Sequence, residues 1–236
     1  MPLVVDGHEP RAQWWQYRRV PYSPGKPWVA VVPVKVATRA KTRLTSESPH
    51  RRADLARAFA MDTVAALSSA PAIGLVVVVT RDPVLSSSWD SDKVIVVIDV
   101  AEGMNEAVMT GAAWCRRHYG ESPLAVFPAD LPCATAAATQ RFLELASGFA
   151  RAVLPDLDQA GTTGLTARAG VALRPSFGPR SLAAHLASGA TLIEGPGLDP
   201  LRRDVDEPEQ LRTAVRLGVG QHTTRVVATS RRDDPD

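Results

Sequence analysis

From Trp28 onward the chain alternates short, almost unbroken runs of valine and isoleucine with longer stretches of mixed polarity. The runs are VAVVPV (29–34), GLVVVVT (74–80), VIVVID (94–99) and LAVFPAD (124–130). A strand with one wet face shows every second residue polar, whereas these show none, so they predict strands covered on both faces. The segments between them are long enough for helices. Ser48 before Pro49 predicts an N-cap with proline in the first turn, opening a helix that stops before Pro71. Asn105 to Tyr119, closed by Gly120, predicts a second helix, and Thr135 to Ser147 a third. The alternation predicts a single α/β domain with a mostly parallel central sheet flanked by helices.

The pattern changes after residue 150. RAVLPD, GLTAR and VALRP predict brief strands, SLAAHLAS a short helix, and EPEQLRTAVRLG a last helix. Residues 1–27, with Trp14, Trp15, Tyr17 and several prolines and no clear period, read as a poorly ordered extension. The domain is expected over 28–225, with a polar tail over 226–236.

Composition narrows the classes of function. The chain has 236 residues, 45% of them apolar, and a formal net charge of +2. So balanced a charge supplies no uniformly basic face, which argues against a nucleic-acid partner. The two cysteines, Cys115 and Cys133, form no Cys-x-x-Cys or Cys/His cluster, so neither a zinc site nor a disulfide framework is expected. The sequence shows neither a signal-peptide core nor a spanning run of apolar residues, and a cytoplasmic protein without membrane contact is the expectation.

Chemistry first enters where the opening strand ends. VVPVKVATRAKTRL (31–44) places Lys35, Arg39, Lys41 and Arg43 just past an apolar run, and two of the chain's four lysines lie there. In an open parallel sheet, ligands sit beyond the carboxyl ends of the strands. A flexible ammonium suits a phosphate as a point charge, and an arginine fork suits two oxygens at once. The glycines of a Walker loop are absent, so composition alone leaves phosphate binding and a solvated basic loop in balance.

Asp130 ends the fourth apolar run, where a turn or cap aspartate is the plainer alternative. Asp204 and Asp206 alternate in RRDVDEPEQL, so in extended backbone they share a face. Asp206 with Glu209 has the spacing of a capping box, which Asp204 lacks. Carboxylates from distant segments suit Mg²⁺ held largely through substrate phosphates, and bases beside them point to phosphoryl or nucleotidyl transfer. In DLDQAGTTGLTAR, the Gly161–Gly164 turn reads either as an anion nest or as a hairpin. FGPRSLAAHL offers Gly178, Pro179 and Ser181 at a helix start, where free amides and a hydroxyl would receive a phosphate. His185, one turn into that helix, reads as a packed residue.

Taken in order, VVPVKVATRAKTRL, GMNEAV (103–108), ADLP, DLDQAGTTGL, FGPRSLAAHLASGA and GLDPLRRDVDEPEQL resemble the guanylyltransferases of coenzyme F420 biosynthesis. These act on 2-phospho-L-lactate or, in the actinobacterial branch, phosphoenolpyruvate. The resemblance covers roughly 28–218 and implies a Rossmann-like nucleotidyltransferase fold. It further implies transfer of GMP from GTP to the phosphate of a three-carbon acid, with Mg²⁺ as cofactor. Carried over residue by residue, it implies a catalytic nucleotide-phosphate loop at Lys35, Lys41 and Arg43, metal ligation at Asp130 with Asp204 and Asp206, and acceptor binding at Thr163, Gly178 and Ser181. Thr80, Gly103 and Asn105 are expected to contact base and ribose. Met104 stands where leucine is expected, a change of packing alone. The arginine-rich, alanine-rich composition with DVDEPEQL and FGPRS is nearest the phosphoenolpyruvate branch; 2-phospho-L-lactate, 3-phosphoglycerate and a non-catalytic nucleotide-binding regulator remain as alternatives. A hand-off to the next transferase of the pathway is also implied.

Overall fold

The computed structural model describes residues 4–5, 27–37, 44, 47–89, 91–98 and 103–229. Among these, the strands are β1 (Val4–Val5), β2 (Trp28–Val34), β3 (Ile73–Thr80), β4 (Val94–Ile98), β5 (Leu124–Val126), β6 (Arg151–Pro155), β7 (Thr162–Ala167) and β8 (Thr191–Leu192). The helices are α1 (Pro49–Ser69), α2 (Met104–Tyr119), α3 (Ala136–Ala146), α4 (Ser181–Ala187), α5 (Pro208–Leu217) and α6 (Gln221–Thr229). All strands lie in one sheet of order β1-β4-β3-β2-β5-β7-β6-β8. Every neighbouring pair is parallel except β5–β7 and β6–β7, which makes β7 the one strand reversed against its neighbours.

The apolar runs form the middle of this sheet because both faces are covered. All seven residues of β2 are buried, and alternate positions enter two different clusters. Ala30 and Val32 pack with Val64 and Leu67 of α1 and Phe142 of α3 on one face, while Val29 and Val31 pack with Val108 and Ala112 of α2 on the other. At about 1.5–3 kcal/mol for each buried valine or leucine side chain, these layers are the main stabilising term. Gly111 sets how closely α2 lies on the sheet, since a Cβ there would stand 2.6 Å from Val31 and 2.8 Å from Val79.

Helix limits follow local chemistry. Ser48 caps α1 by accepting from Arg51 N–H, with Pro49 in the first turn, and Thr135 caps α3 by accepting from Ala138 N–H. Four expectations need correction. VALRP (171–175) forms no strand. The N-cap of α5 is Glu207 rather than Asp206, because Gln210 stands three residues on and its side chain accepts from the amides of Asp206 and Glu207. The stretch assigned to a tail is partly helical, since α6 runs to Thr229. Its amides at His222 and Thr223 donate to the carboxylate of Asp62 on α1, at 2.9 Å each. At the other end, the stretch read as a poorly ordered extension contributes Val4–Val5 as a strand paired in parallel with β4. No helix among the described residues is long and apolar enough to cross a membrane.

Candidate active site

The site is built from the carboxyl ends of β2, β3 and β5 on one side and from the turns around β6, β7 and α4 on the other. Lys35 follows the last residue of β2 and is exposed. Lys41 and Arg43, assigned with it to the phosphate loop, lie outside the described residues, as does Arg39. What the structure adds is the anchor of that loop's first turn. Ala37 N–H donates to Oδ2 of Asp82 at 3.0 Å, and Asp82 is wholly buried at the end of β3. The same carboxylate accepts from the amides of Val84 and Leu85 and from the Arg57 guanidinium, whose Nε stands 3.2 Å from Oδ1. Burial alone would raise its pKa, but the hydrogen bonds from Ala37, Arg57 and Leu85 and the charge of Arg57 outweigh that and hold the group below the ordinary carboxylate value. Asp82 was missed in the sequence reading; its signal was TRDP, an aspartate straight after an apolar strand, the same context that singled out Asp130. Thr80 is fully buried with its hydroxyl accepting from Asp82 N–H, so its side chain faces the protein and the expected contact to a nucleotide is corrected to a turn-closing role.

Asp130 follows β5, and its carbonyl accepts from Val205 N–H at 3.1 Å, which draws the 204–206 segment alongside. Val205 is fully buried among Leu44, Leu55, Phe59 and Leu211. Its side chain fixes the segment, and half-buried Asp204 and Asp206 flank it. Burial, followed by the charges of Asp130, Asp206 and Asp156, pushes the Asp204 carboxyl up to about 7. So Asp130, Asp204 and Asp206, expected to act together, do share one neighbourhood, and Asp156 joins them. Among the described residues no three carboxylates or imidazoles close on a common point as a complete ligand cage. Converging, mutually repelling carboxylates with no cage of their own fit a hard cation completed by water and phosphate oxygens, and do not fit a structural metal.

Asp156 also revises the reading of the glycine turn. Its Oδ1 accepts from Ala160 N–H at 2.9 Å and its Oδ2 from Gly161 N–H at 2.7 Å. The first amide of the proposed nest, Gly161 N–H, is thus occupied by the protein's own carboxylate, residues 162–164 belong to β7, and the turn is the hairpin joining β6 to β7. Arg202 ties this turn to the aspartate segment by donating from Nε to Pro155 O and from Nη2 to Asp156 O. Within β7, Thr163 is buried and donates to Pro155 O.

The start of α4 needs a similar correction. Ser181 N–H donates to Gly178 O and Leu182 N–H to Ala160 O, so the first amides of this seven-residue helix are spent within the protein. Gly178 has φ +141° and Arg180 φ +55°, and the first of these is a conformation that requires glycine. Ser181 is nearly buried and offers its hydroxyl. Gly103 caps α2, and Asn105 behind it does not stand free for a nucleotide: Nδ2 donates to Phe177 O at 3.0 Å and Oδ1 accepts from Phe177 N–H at 2.8 Å. His185 bridges Thr162 and Ser176, with Nδ1 3.0 Å from Thr162 Oγ1 and Nε2 accepting from Ser176 N–H at 2.8 Å.

The family described as "Guanylyl transferase CofC like" matches residues 28–192. The phosphoenolpyruvate guanylyltransferase of Streptomyces coelicolor is 44% identical over 203 residues, which span 85% of this chain and 96% of that protein. That of Thermomonospora curvata is 41% identical over 202 residues, 85% and 89% of the two chains. Among solved structures, a nucleotidyl transferase from Methanothermobacter superposes with a TM-score of 0.56 at 18% identity, covering 87% of this chain and all of its own, a likeness of fold alone. With the match running from β2 through β8, and relatives alike over nearly their full length, the chain belongs to the CofC-like guanylyl transferases, a family of nucleotidyltransferase enzymes.

Proposed function

We propose that the protein transfers GMP from GTP to the phosphate of phosphoenolpyruvate, giving enolpyruvyl-diphospho-guanosine and pyrophosphate, as a cytoplasmic step of coenzyme F420 biosynthesis. The observation that supports the reading is the carboxylate group formed by Asp130, Asp204, Asp206 and Asp156, in a chain whose relatives bear this activity in their names. Asp130 with Asp204 and Asp206 would hold Mg²⁺, which when bound neutralises phosphate charge and polarises the α-phosphoryl group. Lys35, Lys41 and Arg43 bind the triphosphate and draw negative charge toward the leaving pyrophosphate. Thr163, Gly178 and Ser181 hold the acceptor phosphate. The second pKa of a phosphate monoester lies near ~6, so at neutral pH the acceptor is mostly a dianion and no side chain need take a proton from it. One of its oxygens forms the new bond to the α-phosphorus while the bond to the β-phosphate oxygen breaks, and the protein's contribution is to align two anions that otherwise repel. The product, a reactive mixed diphosphate, suits delivery to the next transferase.

The test is to incubate the protein with GTP, Mg²⁺ and one acid at a time, following pyrophosphate and the guanosine product by mass spectrometry. Turnover with phosphoenolpyruvate is expected. Turnover confined to 2-phospho-L-lactate or 3-phosphoglycerate would move the acceptor, and silence with all three, despite GTP binding, would refute transfer to a three-carbon acid.

A further inference from the structure

Residues 168–180 cross the acceptor side without strand pairing, yet two consecutive backbone amides in that segment are held by side chains from different elements. Ser176 N–H is taken by Nε2 of His185 on α4, and Phe177 N–H by Oδ1 of Asn105 on α2. The second contact is doubled, because Asn105 Nδ2 also donates to Phe177 O, so the amide occupies both backbone groups of Phe177 as a strand partner would. The tie joins residues 72 positions apart and reaches from the first turn of α2, in the parallel half, to the loop that leads into Gly178 and Ser181.

The proton arrangement at His185 follows from the same contacts. An amide can only donate, so Nε2 is the acceptor and carries no proton; in the neutral ring the proton then sits on Nδ1 and is donated to Thr162 Oγ1. The ring also meets Phe177 edge-on, with centroids 5.1 Å apart. His185 is fully buried, and the Phe177 side chain nearly so. Burial, followed by the nearby charge of Arg151, lowers its pKa to about 4, in keeping with a ring that stays neutral and in one tautomer.

We infer that Asn105 and His185 are positioning residues for the acceptor: together they fix Ser176–Phe177 and so set the place of Gly178 and Ser181 relative to the nucleotide half. This rests on the acceptor site assigned above. Neither side chain is asked to touch either substrate. Loss of the Asn105 tie frees Phe177 and loosens the acceptor loop, while the nucleotide loop anchored at Ala37 keeps its own support.

The experiment combines binding, exchange and turnover on the full chain. Calorimetric affinities for phosphoenolpyruvate and for GTP, amide exchange at Ser176 and Phe177, and pyrophosphate release are measured for wild type, Asn105→Ala, His185→Ala and His185→Gln. Asn105→Ala is expected to weaken phosphoenolpyruvate binding about tenfold, the equivalent of one lost polar contact, with GTP affinity held within about twofold. Its Phe177 amide should exchange rapidly, as should the Ser176 amide in His185→Ala. His185→Gln, which restores an acceptor, should recover part of the loss. In the wild type, long-range proton–nitrogen spectra should show His185 protonated at Nδ1 only. Should His185→Ala not fold, the Asn105 variant, altered at a half-buried position, carries the result alone. Variants that bind phosphoenolpyruvate like wild type, or lose both ligands by the same factor, would overturn the inference. Binding without pyrophosphate release in the wild type would sink the transfer reaction alone, and a wild type indifferent to phosphoenolpyruvate would sink both.

Discussion

The two halves of the sheet hold the segments proposed to meet ligands by different means. In β2, β3 and β4 every strand pairing is parallel, the side chains are almost all apolar, and Ala37 beyond β2 is anchored on buried Asp82, which is paired with half-buried Arg57. From β6 through α4 the strands include the reversed β7, and half of the buried polar side chains among the described residues lie there: Arg151, Thr162, Thr163, Thr166, Ser181 and His185. Thr162, Thr163, Thr166 and His185 are held there by neutral hydrogen bonds, and the Arg151 guanidinium donates to Ser188 rather than to a carboxylate. An ion pair anchors a loop strongly at one point but leaves an unpaired buried charge when a partner is lost, whereas a network spreads the load and locks geometry at several points. On the function proposed above, a triphosphate bound chiefly through charge tolerates the first design. On the same proposal, an acceptor phosphate that must arrive in line with a bond demands the second.

The severest test of this division falls on the seam between the halves. Asp130→Ala should lower kcat by about a thousandfold or more, since the loss of a ligand to the proposed Mg²⁺ at the seam would impair both substrates. Quenched-flow assay of pyrophosphate checks it, and a variant with most of the wild-type rate would remove Asp130 from the chemistry. Next comes the anchor of the nucleotide side. Asp82→Ala strips the amides of Ala37, Val84 and Leu85 of their acceptor, leaves Arg57 with Asp54 alone among the described residues, and should cost about 1–3 kcal/mol of stability in urea unfolding, with KM for GTP rising more than KM for the acid. Equal rises in both would erase the contrast drawn here.

Acid separates the halves a third way. His185 has a folded pKa of about 4, below its ordinary value, so the stability tied to its neutral form is complete above about pH 6.5 and is lost progressively as pH falls toward 4, by up to about 3 kcal/mol. Asp82 is also shifted down, but its contribution is full above the ordinary carboxylate value and fades only below it. Between pH 6.5 and 4, amide exchange should therefore quicken around Ser176 before it does around Ala37, and simultaneous loosening would count against the difference. The smallest effect is expected from Ser181→Ala: KM for the acid up about tenfold with kcat for saturating substrates little changed, read from steady-state kinetics.

Much of this architecture is legible in the chain because its causes are local. Doubly buried strands announce themselves as unbroken valine runs, and Ser48-Pro49, Thr135 and Gly120 mark helix ends that the structure reproduces. Residues 171–175 misled because VALRP has strand composition but no strand partner, with Pro175 lacking an amide and Arg174 at positive φ. Residues Asp130, Asp204 and Asp206 could be grouped from the sequence by chemistry, whereas Asp156 could not: its place beside them depends on Arg202 binding the carbonyls of Pro155 and Asp156. The same limit explains Asn105 and His185, whose partners lie 72 and 9 residues away in a loop without periodicity. The amides expected to be free at Gly161 and Ser181 were spent on partners that only the folded chain brings near.

The cap that Asp62 places on α6 bears on how this enzyme can be shortened. The family match ends at residue 192, and a minimal fragment drawn from it, or one stopped after α5, would remove the two amides that satisfy a carboxylate only 5% exposed. It would also withdraw Gly220, whose N–H donates to Pro132 O two residues beyond Asp130. The last helix therefore behaves as a keystone for a part of the molecule laid down 160 residues earlier. A ribosome releasing the chain before Thr229 would release an aspartate with its charge facing into the protein.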